Sequence, residues 1–184
     1  VSITTRNGDK GTTRLFSGEE VSKSHLAPRA YGALDEANSV LGIVRSLSDS
    51  KELSDLILYL QHTCYEVGAD LATSPDSRKR FRVTEERMAK LDAIRDDLEA
   101  ETEMPKDFVM SGGTVLGAHL DHARTVFRRC EQEAVALSEA GGLKNPLVLT
   151  WLNRVSDLMW LLARNVEGDK TLPRGVVKQT KFGV

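Results

Sequence analysis

"LGAHLDHARTVFRRCEQEAVAL", residues 116–137, decides the fold. Its apolar positions Leu116, Leu120, Ala123, Phe127, Cys130, Ala134 and Leu137 step 4-3-4-3-4-3. That spacing keeps them on one helix face and matches the seam of helices packed at a shallow angle. Gly141-Gly142 beyond it is a good helix stop. The same step recurs on either side. Ala30, Leu34, Ala37, Leu41 and Val44 mark a first helix, following an irregular stretch closed by Pro28. Leu53, Leu56 or Ile57, Leu60, Cys64, Val67 and Leu71 mark a second, which stops before "TSPDS". "TEERMAKLDAIRDDLEAE" gives a shorter third, with Thr84 as N-cap and acidic residues in its first turn. After Asn145-Pro146, a fifth runs through Val148, Leu152, Val155, Met159, Leu162 and Val166.

No stretch alternates with period two for long. The pattern therefore predicts an all-α, five-helix left-handed bundle over residues 29–167. An irregular leader (1–28) precedes it and a polar tail (168–184) follows, all in one domain of 184 residues. Hydrophobic residues at 40%, charged at 28% and aromatics at only 5% suit a helical protein. A net charge of −2 gives no global pull toward nucleic acid or anionic membrane, so anion binding must come from a local cluster. No apolar run approaches 18 residues and no signal-peptide core is visible. Cys64 and Cys130 lie far apart and outside any CxxC pair, so the expectation is a cytoplasmic chain with reduced core thiols.

The polar residues of interest sit one position past the seams. Arg124, Arg128 and Glu131 share a face of the fourth helix; Asn153 and Asp157 share one on the fifth; Asp35 and Asn38 share one on the first. Such shoulder positions are expected to be half-buried, where a charged group needs a partner. The plain reading is an inter-helix or inter-subunit salt bridge, or an Arg128–Glu131 pair along one helix. His119 and His122 are spaced for shared metal binding but have no ExxH partner, which favours solvent-facing or capping roles.

The leader segment "TRNGDKGTTRLFSGEEVSK" (5–23) is a different kind of sequence. Gly8 and Gly11, Thr12-Thr13, and Lys10 with Lys23 would let backbone N–H groups, hydroxyls and point charges close on an anion. It lacks the GxxxxGK[ST] spacing of a P-loop. On composition alone it suits a flexible tail as well as a phosphate clamp.

Five blocks in order, "TRNGDKGTT…SGEEVSK", "GALDEANSVLG" (32–42), "FVMSGGT" (108–114), "ARTVFRRCEQE" (123–133) and "NRVSDLMWLLAR" (153–164), resemble the PduO-type ATP:cob(I)alamin adenosyltransferases over nearly the whole chain. The resemblance implies a homotrimer of five-helix bundles binding ATP and reduced corrinoid in clefts between subunits. It implies transfer of the 5′-deoxyadenosyl group of ATP to the cobalt of cobalamin, with release of triphosphate. Carried over block by block, Thr5, Arg6, Asn7, Gly8, Asp9, Lys10, Gly11, Thr12, Thr13, Arg14 and Lys23 would wrap the triphosphate. Arg128 and Asn153, with Glu131 nearby, would complete the ATP site, and Asp157 would belong to the cleft. Arg124 resembles the arginine that pairs with the helix-one aspartate, here Asp35, across the subunit boundary. Phe108 matches the aromatic that crowds the lower corrin face and displaces the axial base.

Cobalt(I) is itself the nucleophile, so no Ser/His/Asp or Cys/His constellation is required and none is visible. Charge stabilisation on the departing triphosphate is required, from Lys10, Lys23, Arg128 and Mg²⁺. The leader is expected to act as a flap that orders over nucleotide. A flavoprotein reductase and a B12-dependent acceptor enzyme are the further partners implied. Gln132 replaces a second basic residue of many relatives, Ala37 a bulkier leucine, and the ending "VVKQTKFGV" lacks the aromatics of some members. Rival readings are an ATP-binding corrinoid sensor or chaperone without transferase activity, and a purely structural trimeric bundle.

Overall fold

The computed structural model describes residues 4, 6–78 and 82–174. Five helices carry the chain: α1 (Leu26–Leu47), α2 (Lys51–Leu71), α3 (Glu85–Glu101), α4 (Val115–Glu139) and α5 (Leu147–Glu167). α4 packs between α1 and α5; α2 lies on the far side of α1, and α3 lies on α5. The seams meet in one core. From α4, Leu120, Ala123, Phe127, Cys130, Ala134 and Leu137 are all buried, while Leu116 is only partly so. Phe127 meets Trp151 of α5 edge to face, with ring centroids 6.0 Å apart. Truncating a ring packed like this costs ~3–5 kcal/mol, so Phe127 is a keystone of the α4–α5 contact. α3 buries only Met88 and Leu91 and is a flanking helix.

Capping explains the helix limits. Thr84 and Thr114 each cap a helix, accepting from Arg87 N and Gly117 N. The α2–α3 connection is pinned by the buried Asp70 carboxylate, which accepts from Arg82 N (2.9 Å), Val83 N (3.0 Å) and Asn145 Nδ2 (2.8 Å). Asn145, read from sequence as a break, thereby ties the start of α5 to the end of α2.

Three boundaries differ from the sequence reading. The first helix starts at Leu26 rather than after Pro28, because His25 supplies a cap: its Nδ1 accepts from Ala27 N at 3.1 Å. Pro28 sits in the first turn, where a missing N–H removes no helical bond. The leader is not irregular throughout. β1 (Thr12–Arg14) and β2 (Glu20–Ser22) pair antiparallel, Thr13 opposite Val21. This hairpin is docked on the end of α2: Phe16 N donates to Ala72 O (2.8 Å) and Ser74 N to Ser17 Oγ (2.9 Å). The tail likewise begins with structure. Past a 3-10 turn at Gly168–Lys170, β4 (Leu172–Pro173) pairs antiparallel with β3 (Val109–Met110) from the connection before α4. The ending 176–184 and Thr5 lie outside the described residues.

Candidate active site

The residues singled out by sequence fall into three groups. The first is the leader turn. Arg6 has a left-handed φ of 60° and Gly11 one of 82°, and two tight turns close between them, Asp9 N to Arg6 O and Gly11 N to Gly8 O. Lys23 N bonds Gly11 O at 2.8 Å, and its side chain folds across Gly8: a Cβ there would stand 2.8 Å from Lys23 Nζ. Gly8 thus lets the lysine ammonium lie directly against the turn. Asn7, Gly8, Thr12, Thr13, Arg14 and Glu20 line a cavity of about 560 Å³. Lys10 and Asp9 are exposed on the same turn. Arg14 pairs weakly with Glu20 at 3.7 Å, and also borders a neighbouring 440 Å³ hollow between α1 and α2. Asp35 and the partly buried Tyr31 line that hollow together with Asn38 and Tyr65.

The second group is on α4 and α5. Asn153 Nδ2 donates to Glu131 Oε1 at 3.3 Å, while Asn153 Oδ1 accepts from Arg154, which holds Asp92 of α3 at 3.1 Å. Asn153 and Glu131 are therefore oriented by a chain of polar contacts reaching α3. Arg128 departs from expectation. It is exposed rather than half-buried, and among the described residues it has no ion-pair partner, Glu131 included. Asp157, one turn beyond Asn153, is exposed as well.

The third group is at the opposite end of α4. Phe108, 76% exposed, shares a cavity of about 650 Å³ with Pro105, Lys106, Asp107, Val109, Arg124 and Trp160. Arg124 Nε is 3.6 Å from Asp121 Oδ1, an ion pair too long for a hydrogen bond. Asp121's other oxygen is taken by Arg164 at 2.8 Å, so the outer edge of the Arg124 guanidinium is left for another acceptor. Sequence reasoning missed Trp160, whose i+7 spacing from Asn153 places it two turns further along the same face of the helix, and the buried Asp121–Arg164–Glu167 cluster beneath it.

Among the described residues of one chain these groups line separate hollows. The leader cavity contains no residue of α4 or α5, and Asp35 and Arg124 line different hollows. Among the described residues no three His, Cys, Asp or Glu side chains gather as a metal cage, His119 and His122 included. The chain thus offers an N-terminal turn with cationic side chains, an amide–carboxylate–guanidinium shoulder, and a hollow of mixed lining in which Phe108, Val109 and Trp160 stand beside Lys106, Asp107 and Arg124.

The profile of the cobalamin adenosyltransferase family matches residues 3–166. A corrinoid adenosyltransferase of Bacillus subtilis is 36% identical over 170 residues, covering 90% of this chain and 86% of its own. One from Mycobacterium leprae is 35% identical, covering 88% and 89%. The corrinoid adenosyltransferase PduO of Salmonella typhimurium is 33% identical over 92% of this chain, which spans about half (51%) of that longer protein. Among solved structures, a variant of the PduO-type ATP:corrinoid adenosyltransferase from Lactobacillus reuteri complexed with cobalamin and ATP superposes with a TM-score of 0.86. It is 33% identical, with 94% of this chain and 95% of that one covered.

Proposed function

The chain belongs to the cobalamin adenosyltransferase family, and from that premise we propose that it transfers the 5′-deoxyadenosyl group of ATP to the cobalt of a reduced corrinoid. In that reaction the cobalt(I) electron pair forms the Co–C bond at C5′. The C5′–O bond breaks, its electrons leave with triphosphate, and cobalt ends formally as cobalt(III). The protein then has two tasks: to stabilise charge on the leaving group and to hold C5′ in line with cobalt.

The observation that carries this reading is the placing of exposed cations beside the glycine turn and on the polar shoulder of α4. Lys10, Lys23 and Arg128 have no ion pair among the described residues, in a chain whose net charge is only −2. Exposed cations gathered on a glycine turn and a polar helix shoulder are suited to a polyphosphate. Asn153, oriented by Glu131 and Arg154, is suited to the nucleoside end, and Asp157 borders it. Mg²⁺ keeps much of its coordination in phosphate oxygens and water, and the absence of a three-ligand cage among the described residues fits a cation that arrives on ATP. Asp9 is the carboxylate at hand in the turn. Bound there, the ion would neutralise the triphosphate.

Phe108 and Arg124 give the corrinoid side. An exposed phenyl ring standing in the hollow with Val109 and Trp160 favours a corrin face without an axial base, which makes cobalt(II) easier to reduce. Arg124 has donors to spare toward Asp35 of a second copy, which supports a homotrimer with its clefts between subunits. The two buried free thiols suit a reducing cytoplasm, and no described helix is long and apolar enough to cross a membrane. A flavoprotein reductase and a B12-dependent acceptor enzyme are the partners such chemistry calls for.

The test is conversion of chemically reduced cobalamin with Mg-ATP, followed by the visible spectrum of the Co–C product. Wild type should form adenosylcobalamin, and Arg128→Ala should lose about 10²–10³ in kcat while keeping its helix content. ATP binding without product marks a sensor or chaperone instead. Full activity in Arg128→Ala removes that residue from the nucleotide site.

A further inference from the structure

The hollow beside Arg124 is walled by a strap, residues 105–109, that belongs to no helix. A wall made of irregular chain would be a poor template for a large planar ligand unless something fixed it. What fixes it is the far end of α5. Glu167 is 3% exposed, and its Oε1 accepts from Gly113 N at 2.9 Å. The fit around this carboxylate is close. A Cβ at Gly117 would stand 2.6 Å from Glu167 Cγ, and one at Gly113 would press on the Glu167 carboxyl carbon at 3.0 Å and on the Lys170 carbonyl. Gly117 leaves room for the Glu167 side chain, and Gly113 for both that carboxylate and the Lys170 carbonyl. Further along, Phe108 O accepts from Arg174 N at 2.7 Å, and β3 pairs with β4. The strap is thus tied at its C-terminal end, and through the turn that follows it, to the segment that leaves α5.

The charge on Glu167 is itself held. Arg164, 4% exposed, donates to Glu167 Oε2 at 2.9 Å and to Asp121 Oδ2 at 2.8 Å, and Asp121 faces Arg124. Arg164 also lies over the Trp160 ring, 5.4 Å from its centroid. One buried relay therefore joins the strap, the tryptophan and the arginine, three walls of the same hollow. Burying two carboxylates and a guanidinium is a poor way to gain stability, because desolvation offsets the attraction between them. What such a cluster does gain is fixed geometry.

We propose that Glu167 is a positioning residue for the corrinoid side of the site: through Gly113 N–H and Arg164 it sets the strap that carries Phe108, and the Arg124 wall, at the spacing a corrin needs. This rests on the adenosyltransferase reading above. Two variants test it. Glu167→Gln keeps an acceptor for Gly113 but sets an amide NH2 against the Arg164 guanidinium. Gly113→Ala keeps every charge and pushes the strap off its seat, and carries the test alone if the first variant does not fold. KM for cob(I)alamin should rise about tenfold in both, as expected for loosening one charge-assisted contact, with KM for ATP within about twofold of wild type. Amide exchange should quicken in residues 108–114 and not in the α1–α2 pair. An unchanged corrinoid KM overturns the proposal. So does a parallel rise of both KM values with faster exchange throughout, which marks a merely structural residue. If wild type makes no adenosylcobalamin, the functional reading fails instead, and exchange at 108–114 still decides whether Glu167 anchors the strap.

Discussion

Cys130 illustrates how a reactive residue type is made inert by its position. Its Sγ faces Ala30 O at 3.5 Å in the middle of the α1–α4 contact, and burial pushes its thiol up to about 12. Cys64 is raised by burial too. Neither thiolate is accessible near neutral pH, so a thiol reagent at pH 8 should label the native chain negligibly and both cysteines after unfolding. The same shift has a stability consequence. Below the ordinary thiol value of 9.0 both folded and unfolded chains hold the proton. As pH rises past it, the unfolded chain releases protons that the folded one keeps, so stability falls through the interval up to about 12. The urea midpoint should decline across that range, and decline less in the Cys64→Ala/Cys130→Ala double variant; equal slopes in the two proteins would assign the alkaline loss to other groups. Residues of this class were legible beforehand, because an apolar seam position says "buried" whatever the side chain. Arg128 was not legible in the same way: a shoulder position is compatible with half-burial or full exposure, and neighbouring packing decides which.

Among the elements, the leader is the one whose behaviour the structure redefines. With Phe16 and Ser17 tied to the end of α2 and Leu15 buried, the hairpin at 12–22 is part of the bundle's surface rather than a free arm. Any closure over nucleotide falls to the turn at 6–11, whose ordering a triphosphate offsets by giving its N–H groups and cations a partner. Trypsin should cut after Lys10 readily in the free protein and at least several-fold more slowly with Mg-ATP, while sites inside α1 stay protected in both states. Equal rates after Lys10 would mean that the turn is already set. The helices were readable because a 4-3 step is a local signal repeated many times over. The two hairpins were not. β3 and β4 are two residues each and pair across a separation that includes two whole helices, and "MSGGT" shows only that a turn is present. That its second glycine makes room for Glu167 depends on a contact 54 residues away, which no local pattern encodes.

For the whole molecule, what matters is that the proposed site residues line separate hollows among the described residues of one chain. Asp35 lines the hollow between α1 and α2, Arg124 the hollow behind Phe108, and among the described residues neither has a hydrogen-bonded carboxylate or guanidinium partner. Asp121, the carboxylate paired with Arg124 among the described residues, is already bonded to Arg164. A second copy that set its α1–α2 face against the strap of the first would join Asp35 to Arg124 and close a corrin against the Phe108 and Trp160 rings. The arrangement makes a prediction that monomeric chemistry does not. Asp35→Asn and Arg124→Ala should each lose most activity alone, yet mixed assemblies contain some interfaces with Arg124 from the first variant and Asp35 from the second. In a closed ring assembled at random from equal amounts, about a quarter of the interfaces are intact in this sense. The two variants co-expressed, or unfolded and refolded together, should therefore recover about a quarter of wild-type turnover, whereas samples folded separately and mixed at the moment of assay should show only the sum of their residual rates. Recovery no greater than that sum after co-assembly would place Asp35 and Arg124 in the service of one and the same subunit, and the cleft would have to be sought within a single bundle.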